Sequence, residues 1–233
     1  MENAGFKKGR EFFIMKKEKK TEVGRTLRNL FIVFEGIDGS GTSTQANLLR
    51  DYFEKQNQKA VLTAEPSSGP NGHLIREGLK NRIAFTGDKR RFNQQMAYLF
   101  AADRHDHLYN DVDGVFKLLS EGKHVICTRY YFSSLAYQAD EDYDLVYDLN
   151  KRFPDPDLVI YIDNPVEVSL NRLRERTVKD VYENKEKLQK VRENYRKIFS
   201  GYKGRLMTVK GNMAIEEIHG QIVRYIEKHF MNE

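Results

Sequence analysis

The chain has 233 residues, 39% hydrophobic and 31% charged, with a single cysteine, a composition that excludes a disulfide scaffold and suits one soluble α/β domain with a sizeable core. Its formal net charge of +5 is confined to residues 1–29, which hold nine Lys/Arg against four Glu and leave 30 basic and 30 acidic residues beyond them. The body is therefore neutral, and the basic balance gives no support to a nucleic-acid footprint on the fold.

Residues 1–29 have no apolar periodicity and no apolar core of a signal peptide, and their acids argue against a transit peptide; they read as a disordered basic extension before one domain over 30–233. From there short β-branched or aromatic runs alternate with helical patterns. Strands are predicted over Leu30–Phe34, Ala60–Thr63, His124–Cys127, Leu158–Ile162 and Leu206–Val209. Helices are predicted over Ser43–Gln56, His73–Asn81, Phe92–His107, Val112–Ser120, Tyr143–Arg152, Val166–Arg176, Lys185–Phe199 and Ile215–Phe230. This alternation is the signature of a parallel sheet with crossover helices, and strands apolar on both faces belong inside it. The prediction is an α/β three-layer fold with a five-stranded parallel sheet and helices on both faces, which the glycine-rich loop after the first strand, Gly36 to Thr44, makes a P-loop fold. Cys127 reads as a small buried hydrophobe, and no apolar run approaches the length of a membrane span.

The first strand runs into Gly36-Ile37-Asp38-Gly39-Ser40-Gly41-Thr42-Ser43-Thr44. This fits G-x-x-x-x-G-K-[ST] at every fixed position except one, where Thr42 replaces the lysine. The glycines let the loop aim several N–H groups at one anion, and the helix that follows adds unpaired amides and the positive end of its dipole. Gly36, Asp38, Gly39, Ser40, Gly41, Thr42, Ser43 and Thr44 are the candidate ATP-binding residues, with the Ser43 hydroxyl placed as a ligand for Mg²⁺. A threonine at 42 supplies a neutral donor where the lysine would bring positive charge to the β/γ-phosphates. The motif alone leaves open whether phosphate is transferred or only held.

Phe34 to Gly41 followed by Thr44-Gln45 begins a longer series. Thr63-Ala64-Glu65-Pro66, Ile75-Arg76, Leu99 to Arg104, Thr128 to Gln138 and Pro156 to Asp163 follow in order. The series resembles that of the thymidylate kinases, from about Leu30 to the C-terminus, with Ser133-Ser134-Leu135-Ala136-Tyr137-Gln138 the family-specific part. The resemblance implies that Asp38 accepts a hydrogen bond from the sugar 3′-OH and that Phe100 stacks on the pyrimidine. It implies that Arg104 reaches the base edge, that Ser134 and Gln138 complete base recognition, and that Tyr137 lies beside the deoxyribose, with Ser133 also among the substrate-binding residues. Arg76 and Arg129 would hold the acceptor phosphate, and Glu65 and Pro66 would line the same site. A flat aromatic with a few directed polar groups is how a base is selected, and arginine forks suit phosphate oxygens.

Read singly, several of these residues have plainer explanations. Phe100 fits an apolar helix face, Arg104 with Asp103 fits a solvated helix end, and Ser133-Ser134 fits an N-cap. Their ordered co-occurrence points to function. His105 and His107 at i, i+2 do not share a helix face, which argues against zinc. The basic run Arg172, Arg174, Arg176 and Lys179 alone reads as a solvated helix; the resemblance implies a mobile lid at about 174–183, with Arg129 and one of Arg174, Arg176 or Lys179 acting at the transferred phosphoryl group. The family arginine after the lid aspartate is Val181 here. The family lysine and aspartate at 42 and 128 are both threonine, and Ala64 stands where arginine is frequent. In this topology positions 42 and 128 would be neighbours, so losing both charges keeps the local formal charge unchanged.

The expectation is therefore a thymidylate kinase that moves the γ-phosphoryl of Mg·ATP to dTMP, giving dTDP and ADP. It carries Mg²⁺ as cofactor and ATP and dTMP as partners, with no nucleic acid or membrane partner, a homodimer implied by the family, and a cytoplasmic location. Two alternatives remain at this point: a nucleotide-binding pseudo-kinase without turnover, and a kinase for another (deoxy)nucleoside or nucleotide.

Overall fold

Residues along each strand alternate between two apolar layers. Ile32, Phe34, Ile126, Leu158, Ile160, Ile162 and Val209 face one way, and Phe31, Val33, Val125, Cys127, Val159 and Tyr161 face the other. The computed structural model describes residues 29–83, 86–138, 142–174 and 184–231. Its strands are β1 (Phe31–Glu35), β2 (Ala60–Ala64), β3 (His124–Thr128), β4 (Leu158–Asp163) and β5 (Leu206–Lys210). They form one parallel sheet in the order β2-β3-β1-β4-β5. A parallel sheet must be covered on both faces. On one face lie α1 (Thr42–Lys55) and α9 (Ile215–Ile226), through Leu49, Phe53, Ile222 and Ile226. On the other lie α3 (Lys89–Tyr109), α4 (Val115–Ser120), α5 (Tyr131–Tyr137), α7 (Val166–Arg174) and α8 (Lys185–Gly201), through Leu108, Val115, Phe132, Leu173, Val191 and Tyr195. Each such side chain contributes about 1.5–3 kcal/mol when fully buried. α2 (Pro70–Leu79) packs on α3 through Ile75, Leu79 and Met96, and α6 (Tyr143–Asn150) joins through Val146.

Every predicted strand is present, and each ends one residue beyond its apolar run. The added residues are Glu35, Ala64, Thr128, Asp163 and Lys210, mostly polar because they leave the apolar layers for the carboxyl edge where ligands bind in such sheets. With β1 between β3 and β4, Phe34 registers with Thr128 and Ile160, so the loop after β1 sits among the ends of three strands.

Helix ends depart from expectation for local reasons. α2 starts at Pro70, a residue suited to the first helical position. α3 starts early because the Asp88 carboxylate accepts from the Arg91 amide. α4 starts late because Asn110 Oδ1 accepts from the amides of Val112 and Asp113 and holds that segment in a turn. The helix predicted to reach Phe230 changes at Ile226 into a π-helical turn, Glu227–Met231. The predicted extension lies outside the described residues apart from Asn29, and the predicted lid apart from Arg174.

Candidate active site

The loop after β1 turns on glycines. Gly39 and Gly41 adopt φ of 77° and 100°, left-handed values that side chains rarely tolerate. Gly41 is the N-cap of α1, no side chain caps that end, and no acid lies in its first turn. The helix therefore offers its first-turn amides to an anion. Around this loop is a cavity of about 350 Å³ lined by Asp38, Gly39, Gly41, Thr42, Ser43, Thr44, Thr128, Arg129 and Arg172. Thr42 and Thr128 do share one wall-bounded space, as the strand order predicts. Gly36 and Ser40 stand behind the wall, with Ser40 buried.

Arg172 was not singled out within its basic run by the sequence. Its guanidinium donates to the carbonyls of Gly39, Ser40 and Gly211, each at 3.2 Å. It ties α7 to the phosphate loop and to the turn after β5. Arg174 is exposed on the last turn of α7; Arg176, Lys179 and Val181 lie outside the described residues.

A second, narrower cavity of about 100 Å³ is lined by Asp38, Pro66, Leu79, Phe100, Arg129, Ser133, Ser134, Tyr137 and Gln138. Asp38 and Arg129 border both cavities. Arg129 Nη2 donates to Asp38 Oδ1 at 2.6 Å. Tyr137 OH donates to Asp38 Oδ2 at 2.9 Å and accepts from the Asp38 amide at 3.1 Å. Burial is the largest influence and works against the Arg129 charge, but Asp38, Tyr137, Tyr195 and Glu35 together outweigh it and keep the guanidinium above its ordinary value. The Gln138 side chain is buried at the cavity wall, and its Oε1 has no partner among the described residues.

Ser133 and Ser134 lie inside α5, which begins at Tyr131, so neither is an N-cap. Ser133 Oγ accepts from Arg129 Nη1 at 3.2 Å and donates to Glu35 Oε2 at 2.8 Å. Ser134 Oγ accepts from Arg104 Nη2 at 3.2 Å. Phe100, Asp103, Arg104 and His107 stand at i, i+3, i+4 and i+7 of α3 and share a face. Phe100 reaches the cavity, while the other three run beneath it. Arg104 has no exposed surface; it pairs with Glu65 at 2.7 Å, and its Nη1 donates to Asn150 Oδ1. His107 Nδ1 lies 3.1 Å from the other Glu65 oxygen. Asp103 accepts from the amide and hydroxyl of Ser67 at 2.7 and 2.6 Å. Glu65 and Arg104 thus sit behind Pro66 and Ser134 rather than on the wall. Arg76 is also off the wall, donating to the carbonyls of Ser67 at 2.7 Å and Pro66 at 2.5 Å. His105 is exposed while His107 is buried, as their spacing predicts.

Sequence reasoning passed over Glu35, Leu79, Asn150 and Tyr195. The signal for Glu35 was an acid ending a fully apolar strand; the others carry no local mark. Burial pushes the Glu35 carboxyl up from 4.5 to about 7, against the charge of Arg129 and hydrogen bonds from Ser133, Tyr195 and the Tyr130 amide.

The family model for thymidylate kinase matches residues 34–222. The probable thymidylate kinase of Thermococcus kodakarensis is 42% identical over 209 residues, 85% of this chain and 97% of its own length. That of Pyrococcus horikoshii is 39% identical over 208 residues, 88% of this chain and 99% of its own. That of Methanococcus aeolicus is 38% identical over 203 residues, 84% and 95% respectively.

Proposed function

Because the chain belongs to the thymidylate kinase family, we propose that its two joined cavities are the donor and acceptor sites for phosphoryl transfer from ATP to dTMP. The protein makes dTDP and ADP. The observation that carries the residue assignment is the Asp38–Arg129 pair, common to both cavities. An arginine there can touch the phosphates of both nucleotides, and phosphoryl transfer depends mainly on positioning and charge.

In the acceptor cavity the thymine ring lies on Phe100. The unpartnered Gln138 Oε1 suits an N–H of the base edge, with Ser134 beside it and Arg104 behind Ser134. Asp38 takes the sugar 3′-OH next to Tyr137. Arg129 holds the acceptor phosphate, and Arg76 joins by exchanging its present carbonyl partners, with Ser133 and Pro66 completing the wall. In the donor cavity the loop amides and Arg172 surround the triphosphate. A phosphate oxygen of dTMP attacks the γ-phosphorus as its bond to the β–γ bridging oxygen breaks, and ADP leaves with the electron pair. The acceptor is already anionic, so no strong base is needed.

Mg²⁺ fits this arrangement. Ser43 lines the donor cavity, and among the described residues no group of three or more His, Cys, Asp or Glu forms a cage. The Ser43 hydroxyl would hold the ion, which when bound would supply charge neutralisation at the β/γ-phosphates. The reading includes a lid near 174–183 bearing Arg174 and Arg176, a homodimer and a cytoplasmic site of action. No helix among the described residues is long and apolar enough to cross a membrane. Coupled ADP release with dTMP, dCMP, dGMP and AMP tests the reading, and dTMP is expected to lead. Binding of ATP and dTMP without dTDP above a no-enzyme control would leave a pseudo-kinase, and a different leading acceptor would move the specificity.

A further inference from the structure

Glu35 ends β1 after four apolar residues and has no exposed surface. Burying a carboxylate is costly unless its hydrogen bonds compensate, and here both oxygens are engaged. Oε1 accepts from the Tyr130 amide at 2.8 Å, and Oε2 accepts from Ser133 Oγ and Tyr195 OH, each at 2.8 Å. Two of these contacts converge on Arg129. The Tyr130 amide is the peptide immediately after it, and Arg129 has a φ of 70°, a left-handed conformation that persists in a residue with a side chain only where the surroundings enforce it. Ser133 Oγ accepts from Arg129 Nη1 at 3.2 Å.

We propose that Glu35 is a positioning residue for phosphoryl transfer, which in its ionised form holds the backbone and guanidinium of Arg129 at the junction of the two cavities through Tyr130 and Ser133. The proposal rests on the dTMP kinase reading above. Ionised, Glu35 only accepts hydrogen bonds, so Ser133 donates to it and turns its lone pairs toward Arg129. Protonated, the carboxyl has its own hydrogen to place between Ser133 and Tyr195. Donated to Ser133, that hydrogen reverses the hydroxyl and sets the acid and Arg129 against the same oxygen. Asp38 also holds Arg129, at 2.6 Å, but Asp38 borders the acceptor cavity and is the group that turns to the sugar. Glu35 lines neither cavity, so its hold persists when the site fills.

With burial pushing its carboxyl up to about 7, Glu35 changes state near neutral pH. Among the described residues, the other titratable groups facing it are Arg129 after β3, Tyr195 on α8 and Cys127 on β3. All three are held well above their ordinary values and stay constant through this range. Asp38 faces Arg129 from the phosphate loop.

The test is kcat and KM for both nucleotides between about pH 5.5 and 9 in the wild type, Glu35→Gln and Tyr195→Phe. The substrate phosphates titrate identically in all three, so differences between variants are the readout. Wild-type kcat should fall below about pH 7. Tyr195→Phe, which removes one donor to the carboxylate, should move that limb upward by about half a pH unit or more. Glu35→Gln should abolish the part of the limb that Tyr195→Phe moves, and lower kcat at pH 8 on the order of tenfold to a hundredfold with little change in KM for ATP. If Glu35→Gln does not fold, Tyr195→Phe carries the test. Superimposable pH profiles alongside normal wild-type dTDP formation would overturn the positioning role alone. No dTDP from the wild type at any pH would overturn the kinase reading and this role with it.

Discussion

The charged walls of the donor cavity are Asp38, Arg129 and Arg172, a formal charge of +1 with Thr42 and Thr128 between them. Thr42→Lys raises this to +2 by adding an ammonium to a space already bounded by two guanidinium groups. Thr128→Asp lowers it to zero by setting a carboxylate against triphosphate oxygens, where like charge and desolvation act together. The double change returns the wall to +1 with the new charges paired. Phe34 and Thr128 are in register across β1 and β3, and the loop holding Thr42 follows β1. For a new pair on the order of 6 Å apart, an effective dielectric near 20 gives about 3 kcal/mol of attraction. That is the upper end of the roughly 0.5–3 kcal/mol seen for coupled neighbours and about two orders of magnitude in rate. The assay is a double-mutant cycle on kcat/KM for dTMP, with thermal stability followed in parallel. Each single change should slow the reaction and the double change should recover most of the loss. Strictly additive effects would show that the two sites do not communicate. A large gain from Thr42→Lys alone would show that the threonines are not a matched pair.

Arg129→Ala should cut kcat by two to three orders of magnitude, since a donor directed at developing charge is worth about 2.7–4 kcal/mol. Arg76→Ala should cost far less, because that guanidinium is bound to the Pro66 and Ser67 carbonyls; equal small effects in steady-state kinetics would sink the assignment. Glu35 in the folded state titrates near 7 against 4.5. The native state therefore keeps a proton that the unfolded chain has lost in that window, and stability falls by about 3 kcal/mol as pH rises through it. Glu35→Gln should remove that part of the slope in urea unfolding at pH 5 and 7.5, and an unchanged slope counts against the shift. A protein beginning near Thr26 should stay soluble and active, because the preceding residues carry charge without apolar periodicity; loss of activity on truncation would mean that the segment docks.

The fold was legible because its signals are local. A strand buried on both faces must be apolar throughout, as Phe31 to Phe34 and Leu158 to Ile162 are, and each run reported a strand without knowledge of its neighbours. What local signal could not report is where a run stops mattering. Glu35, Thr128 and Asp163 continue their strands although they are polar and stand at the carboxyl edge, past the apolar run. The cavity walls were legible for a different reason. Asp38, Phe100, Arg129, Ser133, Ser134, Tyr137 and Gln138 lie in a few short motifs, and the strand order brings those motifs to one edge. The supports beneath were not legible. Glu65 with Ser67, Arg104 and Asn150 come from three separate segments and meet only in three dimensions.

Those supports divide the two site arginines into different kinds. Arg104 and Glu65 form a direct pair, 0% and 1% exposed, with Asn150, His107 and Ser134 taking further hydrogen bonds. Separating a buried pair of this kind costs about 3–5 kcal/mol, so a nucleotide has little to gain by drawing Arg104 forward. On the proposed reading, its influence on the base would pass through the Ser134 hydroxyl, which accepts from Arg104 Nη2. Arg129 instead meets its buried carboxylate through a serine and its direct partner, Asp38, at a 20% exposed rim. A phosphate can replace Asp38 there without stranding a buried charge, while Glu35 still fixes the backbone and one edge of the guanidinium. One arginine is built to stay and the other to exchange partners, and only the second stands where both nucleotides can meet it.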